Sequence, residues 1–354
     1  RFNKNLLITI VKMTIPSSTD EYTAISKDAL VENTKIEFDV FLKNDLGGNS
    51  RYILFCRGNQ EFSAERRGEL LNRNTHRLYI STKDTDKYLK YQEKNLKQIV
   101  EDKSKSSLQK SGALYQVATN MVHDVLDNPK SGENLERAST WVGNTISHIV
   151  QNQNTFSSLF QVTSNDYQTA THSINVSVIG LLFGKHLSLP PNELECLGTG
   201  LLLHDVGKST LPQDVLDKKG SLTSEEFEII KSHPKAGLDL LEQNDSIDEL
   251  SLKVVIQHHE NNDGTGYPYG LGGSDIHLFG HISRIIDVYD AMTSDRPYAD
   301  ALRPFATLAE IKKENQICFN EELLKEFICF LGQKNQRSEP RAEDILLDPS
   351  FVAK

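Results

Sequence analysis

Eleven histidines are spread along 354 residues, and several of them fall where a chain would place metal ligands. His172 lies in YQTATHSINVSVIGLL, whose Ile174, Val178, Leu181 and Leu182 repeat at the spacing of a buried helix face. His204 and Asp205 follow a second such repeat, Leu194, Leu197 and Leu201. His233 stands before Pro234 at the end of LTSEEFEIIKSHP, a segment that opens with a capping box, Thr223 with Glu226. His258 and His259 end the apolar run LKVVIQHHE, and Asp287 lies in ISRIIDVYDAM. Imidazole nitrogens and carboxylates without a thiolate suit a hard or borderline divalent metal. An aspartate beside a histidine at a helix end is placed to bridge two ions. A two-metal site polarises a phosphoryl oxygen and activates a water. One His-Asp pair alone is an ordinary helix-end ion pair, but a series of such elements, each on its own helix, is hard to assign to chance. His123 and His148 are single histidines on amphipathic helices and are read as surface or hydrogen-bonded core residues.

The elements that must position these groups divide the chain. Residues 14–83 read as a small α+β module. The runs at 35–42, 51–56 and 76–81 are rich in aromatic and β-branched residues, DLGGNS marks a turn, and residues 65–72 read as a short helix. This module carries no chemical motif and is expected to be regulatory. Residues 84–153 read as linker helices, with Leu114, Val117, Met121, Val122 and Val125 on one stripe. They are candidates for a linker, for a homodimer or signalling-partner contact, or for the first helices of the next domain. Residues 154–335 read as an all-helical domain and 336–354 as a polar tail. The overall class is α+β.

Bulk composition narrows the function. Charged residues make up 25% and hydrophobic residues 38%, an ordinary soluble balance. The formal net charge of −10 argues against a whole-protein grip on a nucleic-acid polymer, though a local basic pocket is compatible with it. Cys56, Cys196, Cys318 and Cys329 are far apart and none is in a CxxC pair, so reduced, mostly buried thiols in a cytoplasmic protein are expected. No apolar run approaches a membrane span. The start RFNKNLLITIVK does not read as a signal peptide, and Met13 is a plausible first residue with 1–12 an upstream extension.

The segments HDVGKSTLPQDVLDKKGSLTSEEFEIIKSHPKAGLDLL, HHENNDGTGYPYGL and DVYDAMTSDRPY, in that order and spacing, resemble the HD-GYP family of the HD phosphohydrolase superfamily. The resemblance covers about half the chain. It implies a helical bundle with a dinuclear metal centre, iron or alternatively manganese, and hydrolysis of cyclic di-GMP to pGpG and in some members on to GMP. Some members prefer hybrid cyclic dinucleotides. Carried over residue by residue, it makes His172, His204, Asp205, His233, His258, His259 and Asp287 the metal ligands, with Asp205 as the bridge. Lys208 would face the scissile phosphate. Tyr267 would present its ring or hydroxyl to the substrate, and Arg296 would bind a phosphate. Glu260, Asp263 and Asp290 would support the ligands.

The sequence departs from the family pattern at several places. Gln168 stands where some members place a glutamate that recruits a third metal, so two ions are expected. His277 and His281 occupy the usual proline and arginine positions of the segment IHLFGHIS, with Arg284 three residues on. Ala299 follows DRPY where a basic residue is common. Three functions are therefore weighed: an active cyclic-dinucleotide phosphodiesterase, a sensor or scaffold that keeps its metals and turns over weakly, and a mononucleotidase. The complete ligand set and Lys208 favour the first, the altered segment and Ala299 the second. The GYP loop speaks against the third.

Overall fold

The computed structural model describes residues 21–46, 49–72, 77–151, 155–162, 169–218, 220–294, 307–308, 310–311 and 316–335. Gln168, Arg296, Ala299 and the 336–354 tail lie outside the described residues. The first segment forms β1 (Tyr22–Ser26), β2 (Thr34–Lys35), β3 (Val40–Leu46), β4 (Asn49–Cys56), β5 (Glu61–Phe62), α1 (Ala64–Asn72) and β6 (Arg77–Ser81). A four-stranded antiparallel sheet has the order β1-β6-β3-β4, and β2 pairs with β5. In β6 the alternation is plain: Leu78 and Ile80 are buried while Arg77 is exposed.

The expected strand over 35–42 is two pieces. The chain bends between β2 and β3 yet keeps the alternation, with Ile36, Phe38 and Val40 buried on one side. Asp39 fixes the bend by accepting the Gly58 N–H at 2.7 Å. Next, α2 (Thr85–Lys94) brings Tyr88 and Tyr91 edge-on to Phe38, at centroid distances of 5.7 and 5.6 Å. The Tyr91 hydroxyl accepts the Val31 N–H at 2.9 Å. These side chains form one apolar cluster with the sheet.

Beyond Asn95 the chain is helical: α3 (Leu96–Glu101), α4 (Ser107–Asp127), α5 (Gly132–Gln151), α6 (Thr155–Val162), α7 (Thr169–His186), α8 (Pro191–Leu203), α9 (Gln213–Leu216), α10 (Ser224–Ile230), α11 (His233–Leu241), α12 (Glu249–Gln257), α13 (Leu278–Thr293) and α14 (Glu321–Asn335). The capping box of Thr223 and Glu226 starts α10 as expected. The centre of the bundle is α7. Ile174, Val176, Val178, Ile179, Leu181, Leu182 and Phe183 are all buried, so this helix is covered all round.

The helices of 84–153 do not form a free-standing linker. Tyr88 and Tyr91 belong to the sheet core, whereas the Leu114, Val117, Met121, Val122 and Val125 stripe shares one core with α7, α8, α12 and α13. Trp141 Nε1 donates to the Leu114 carbonyl at 2.8 Å and ties α5 to α4. His148 is buried, with Nε2 3.0 Å from Ser111 Oγ, and burial pushes its pKa down to about 4. His123 is exposed. Contacts between the two cores are polar: Gln109 Nε2 donates to Asp28 Oδ2 at 2.6 Å, and Arg137 Nε to Glu93 Oε1 at 2.6 Å. All four cysteines are free thiols, but only Cys56 is fully buried; Cys196 and Cys318 are half-buried and Cys329 is exposed. Among the described residues no helix is long and apolar enough to cross a membrane.

Burying one large apolar side chain stabilises by about 1.5–3 kcal/mol. A cut at residue 155 removes the whole α4 stripe with Leu135, Trp141 and Val142, a loss on the scale of a domain's net stability of about 5–15 kcal/mol. A cut at Asn95 severs mainly polar contacts. A chain beginning at Asn95 is therefore expected to be soluble and metal-loaded, and one beginning at Thr155 to be insoluble. Expression, light scattering and metal content of the two chains check this.

Candidate metal centre

Most of the proposed ligands sit at helix ends, where the chain is free to turn toward a common point. His172 is on α7. His204 caps the C-terminus of α8, and Asp205 heads the 3-10 turn Val206–Thr210. His233 opens α11, His258 caps α12, His259 follows it, and Asp287 projects from α13. The turn after Asp205 is pressed against α11. A Cβ on Gly207 would lie 2.0 Å from the His233 carbonyl oxygen and 2.5 Å from the Gly237 nitrogen. Only glycine permits that approach, and it is what brings Asp205 to His233.

Three imidazoles are oriented in one way. His204, His233 and His258 each place Nδ1 2.7–2.8 Å from the carbonyl of the residue three before, Leu201, Ile230 and Val255. A carbonyl oxygen only accepts, so Nδ1 carries the hydrogen and Nε2 presents a lone pair inward. His172 donates through Nδ1 to Asp290 Oδ2 at 2.8 Å, and its Nε2 lies 3.1 Å from Asp287 Oδ1. Asp205 sits among them. Its Oδ1 is 3.2 Å from His233 Nε2 and 3.9 Å from His258 Nε2; its Oδ2 is 3.5 Å from His204 Nε2 and 3.9 Å from His172 Nε2. Donor atoms of His233, His258 and His259 lie within 4.8 Å of one another, as do those of His172, His204 and Asp287.

This arrangement demands positive charge. The Nε2 atoms of His233 and His258 are 2.9 Å apart, and two lone pairs at that distance repel unless a cation or proton lies between or beside them. His204 Nε2 is buried and makes no hydrogen bond. Protons are a poor answer. Burial pushes the pKa of His204, His258 and His259 down, and for His258 the neighbouring His259, His204 and His233 push further. Burial works to raise the two carboxyls. For Asp205 the Lys208 ammonium leads the groups that outweigh it, and for Asp287 the adjacent His172 ring does; both are held well below the usual carboxylate range. Imidazole nitrogens and ionised carboxylates in these two sets, joined by a third of His204, Asp205 and His258, fit divalent cations.

Lys208 and the GYP loop border this centre. Lys208 Nζ lies 2.5 Å from Asp205 Oδ2, and its side chain is partly exposed. Tyr267 stacks on His259, with ring centroids 4.6 Å apart and 27° between planes, and its N–H donates to the His259 carbonyl at 3.1 Å. The loop folds back this tightly because of Gly266, where a Cβ would stand 2.3 Å from the Asn261 nitrogen. Of the three residues expected to support the ligands, only Asp290 touches one. Glu260 is buried and accepts the N–H groups of Tyr269 and Leu271 at 2.8 and 2.9 Å. Asp263 accepts the Thr265 N–H and hydroxyl at 3.1 and 2.7 Å. Both shape the loop and contact no ligand. His277 Nδ1 caps α13 by accepting the Phe279 N–H at 3.1 Å, and His281 Nε2 donates to the Gly273 carbonyl at 3.1 Å, so neither faces the centre. Sequence reasoning missed the role of Gly207; its place between His-Asp and Lys was the available signal.

A helical bundle that gathers a His-Asp pair and ligands from four further helix positions is the architecture of an HD domain, and a family model described as HD domain matches residues 144–323. The chain belongs to the HD-GYP family. It is similar to the cyclic di-GMP phosphodiesterase PA4108 of Pseudomonas aeruginosa, 36% identical over 175 residues, which is 48% of this chain and 42% of that protein. It is also similar to the cyclic di-GMP phosphodiesterase response regulator RpfG of Xanthomonas campestris pv. campestris, 38% identical over 146 residues, 41% of this chain and 38% of that one. The match thus spans less than half the length of either relative. Among solved structures, Bd1817, a HDG"Y"P protein from Bdellovibrio bacteriovorus, aligns over 88% of this chain and 99% of its own with a TM-score of 0.63 and 21% identity, a likeness of fold.

Two tests follow from the ligand geometry. Protein purified without oxygen is expected to carry about two ions per chain, the number a bridging carboxylate organises; elemental analysis giving three would show that Gln168 does not limit the centre. Asp205→Asn is expected to lose most of the metal, because an amide offers one acceptor oxygen and turns N–H donors toward imidazoles. Full metal content in that variant would remove Asp205 from the bridging position.

Proposed function

We propose that this protein is a metal-dependent phosphodiesterase that hydrolyses cyclic di-GMP to linear pGpG in cyclic-dinucleotide signalling. The observation that carries the reading is the convergence of His172, His204, His233, His258, His259, Asp205 and Asp287 on one buried point, with Lys208 at its accessible edge. The similarity to PA4108 and RpfG, both named cyclic di-GMP phosphodiesterases, supports it. Iron is the metal we assign, with manganese as the alternative; imidazole and carboxylate donors accept either. When bound, such ions act as Lewis acids on a phosphoryl oxygen and supply a nucleophilic hydroxide near neutral pH.

The residues divide the remaining work. The inward Nε2 lone pairs are fixed by carbonyls that never change protonation, so the imidazoles need no reorganisation as charge develops. Asp205 and Asp287 stay ionised because their neighbours hold them so. Lys208 keeps an ammonium beside Asp205 and, with part of its side chain open to solvent, is placed to meet an incoming phosphodiester and offset its growing negative charge. Tyr267 lays an aromatic face over His259, walls the centre on that side and leaves a surface for a nucleobase or sugar.

Protein reconstituted anaerobically with Fe(II) or Mn(II) is expected to convert cyclic di-GMP to pGpG, followed by chromatography of the products. Lys208→Ala is expected to keep its metals and lose about 10²-fold in turnover, the scale of one electrostatic stabiliser. Tight binding of cyclic di-GMP without turnover in the wild-type protein would support the sensor reading instead.

A further inference from the structure

Arg284 stands three residues before Asp287 on α13, one helical turn from a metal ligand. Its Nε–H donates to Asn261 Oδ1 at 2.9 Å, and its guanidinium carbon lies 5.9 Å from the centre of the Phe319 ring. Asn261 is in turn anchored. Its Nδ2 donates to Thr265 Oγ1 at 3.0 Å, and Asp263 holds Thr265 through its N–H and hydroxyl. One edge of the guanidinium is therefore fixed against the GYP loop. The other edge, with its two terminal amino groups, makes no hydrogen bond and no ion pair among the described residues. A half-buried arginine is ordinarily matched to a carboxylate, because the planar fork of N–H donors fits two oxygens. Here the terminal amino groups hydrogen-bond no carboxylate among the described residues, although the charge of Arg284 acts on nearby Asp263.

Its surroundings are those of the reaction centre. The charge of Arg284 acts on His259 and on Tyr267. Burial and then Asp287 raise the Tyr267 phenol, and Lys208 and Arg284 both oppose that rise, so both cations act on this residue. A cyclic dinucleotide carries two phosphodiester charges, only one of which reacts at a time. Lys208 is bound to Asp205 at the metals. Arg284 lies one helical turn from Asp287, and the Asn261 it is bound to stands two residues after His259.

We propose that Arg284 is a substrate-binding residue that holds the second, non-reacting phosphate of a cyclic dinucleotide through the free edge of its guanidinium, with Asn261 as the residue that positions it. This rests on the phosphodiesterase reading above. Binding energy from the remote phosphate then orients the reacting one, which is how a distant contact contributes to rate. The site discriminates by charge number: a diester with one phosphate leaves Arg284 empty.

The test compares cyclic di-GMP with bis(4-nitrophenyl) phosphate, a diester with a single phosphate, on the metal-loaded full chain. Arg284→Ala is expected to raise KM for cyclic di-GMP on the order of 10-fold or more, the scale of a hydrogen bond to a charged group, and to shift kcat/KM for cyclic di-GMP at least that much more than for the single-phosphate diester. Arg284→Lys is expected to recover part of the charge but not the fork. Equal proportional losses on both diesters would make Arg284 a strut for the loop and overturn the proposal, as would an unchanged KM for cyclic di-GMP. If the wild-type protein cleaves the single-phosphate diester and not cyclic di-GMP, the phosphodiesterase reading itself fails.

Discussion

Asp205 is a carboxylate with 2% of its surface exposed, ringed by the Nε2 atoms of His172, His204, His233 and His258. Taking such a charge out of water costs several kcal/mol even after relaxation. The lone pairs of the imidazoles add a repulsion, because three backbone carbonyls and Asp290 have already claimed their hydrogens. Lys208 offsets part of this cost at one oxygen. The remainder of the structure serves to hold the others in place until cations balance them. Ser177 ties α7 to α8 through the Gly198 carbonyl at 2.9 Å, and Ser251 ties α12 to α8 through the Cys196 carbonyl at 2.8 Å. These bonds register the helices whose ends carry ligands.

The same logic explains where the glycines fall. Backbone must approach backbone to bring a turn and a loop onto buried imidazoles, and Gly207 and Gly266 remove the only atoms in the way. Glu260 gives the loop its shape from beneath: a buried carboxylate satisfied by two N–H groups is a rigid support. The centre is thus built from rigid elements at its core and a pinned loop at its edge. Lys208, Tyr267 and Arg284, the groups we propose face the substrate, are each partly exposed at that edge.

The amino-terminal sheet has its own apolar core and meets the bundle through polar contacts such as Asp28 with Gln109 and Glu93 with Arg137. An interface of that chemistry is weaker than a shared core and is suited to relative movement. It touches α4 and α5, whose inner faces pack against α7, the helix that carries His172. Any displacement there has a continuous packed route to the metal centre.

Much of the site was legible before folding. Histidine and aspartate types in a fixed order, each beside an apolar helical repeat, marked the residues that the fold brings together, because chemistry restricts donor atoms and periodicity restricts which segments lie in a core. The capping box at Thr223 and the strands around 51–56 and 77–81 were legible for the same local reasons. Tertiary structure decided what local pattern leaves open. The Leu114–Val125 stripe announced that a face would be buried, but its partner, the α7 and α8 core rather than another subunit or a linker, depended on long-range packing. The short strands β1, β2 and β5 exist because neighbours pair with them. Glu260, Asp263 and Asp290 are alike in type, yet only the fold sent Asp290 to His172 and the other two to the loop. A residue's type fixes what it is able to donate or accept; which partner stands within 3 Å is set by the path of the whole chain.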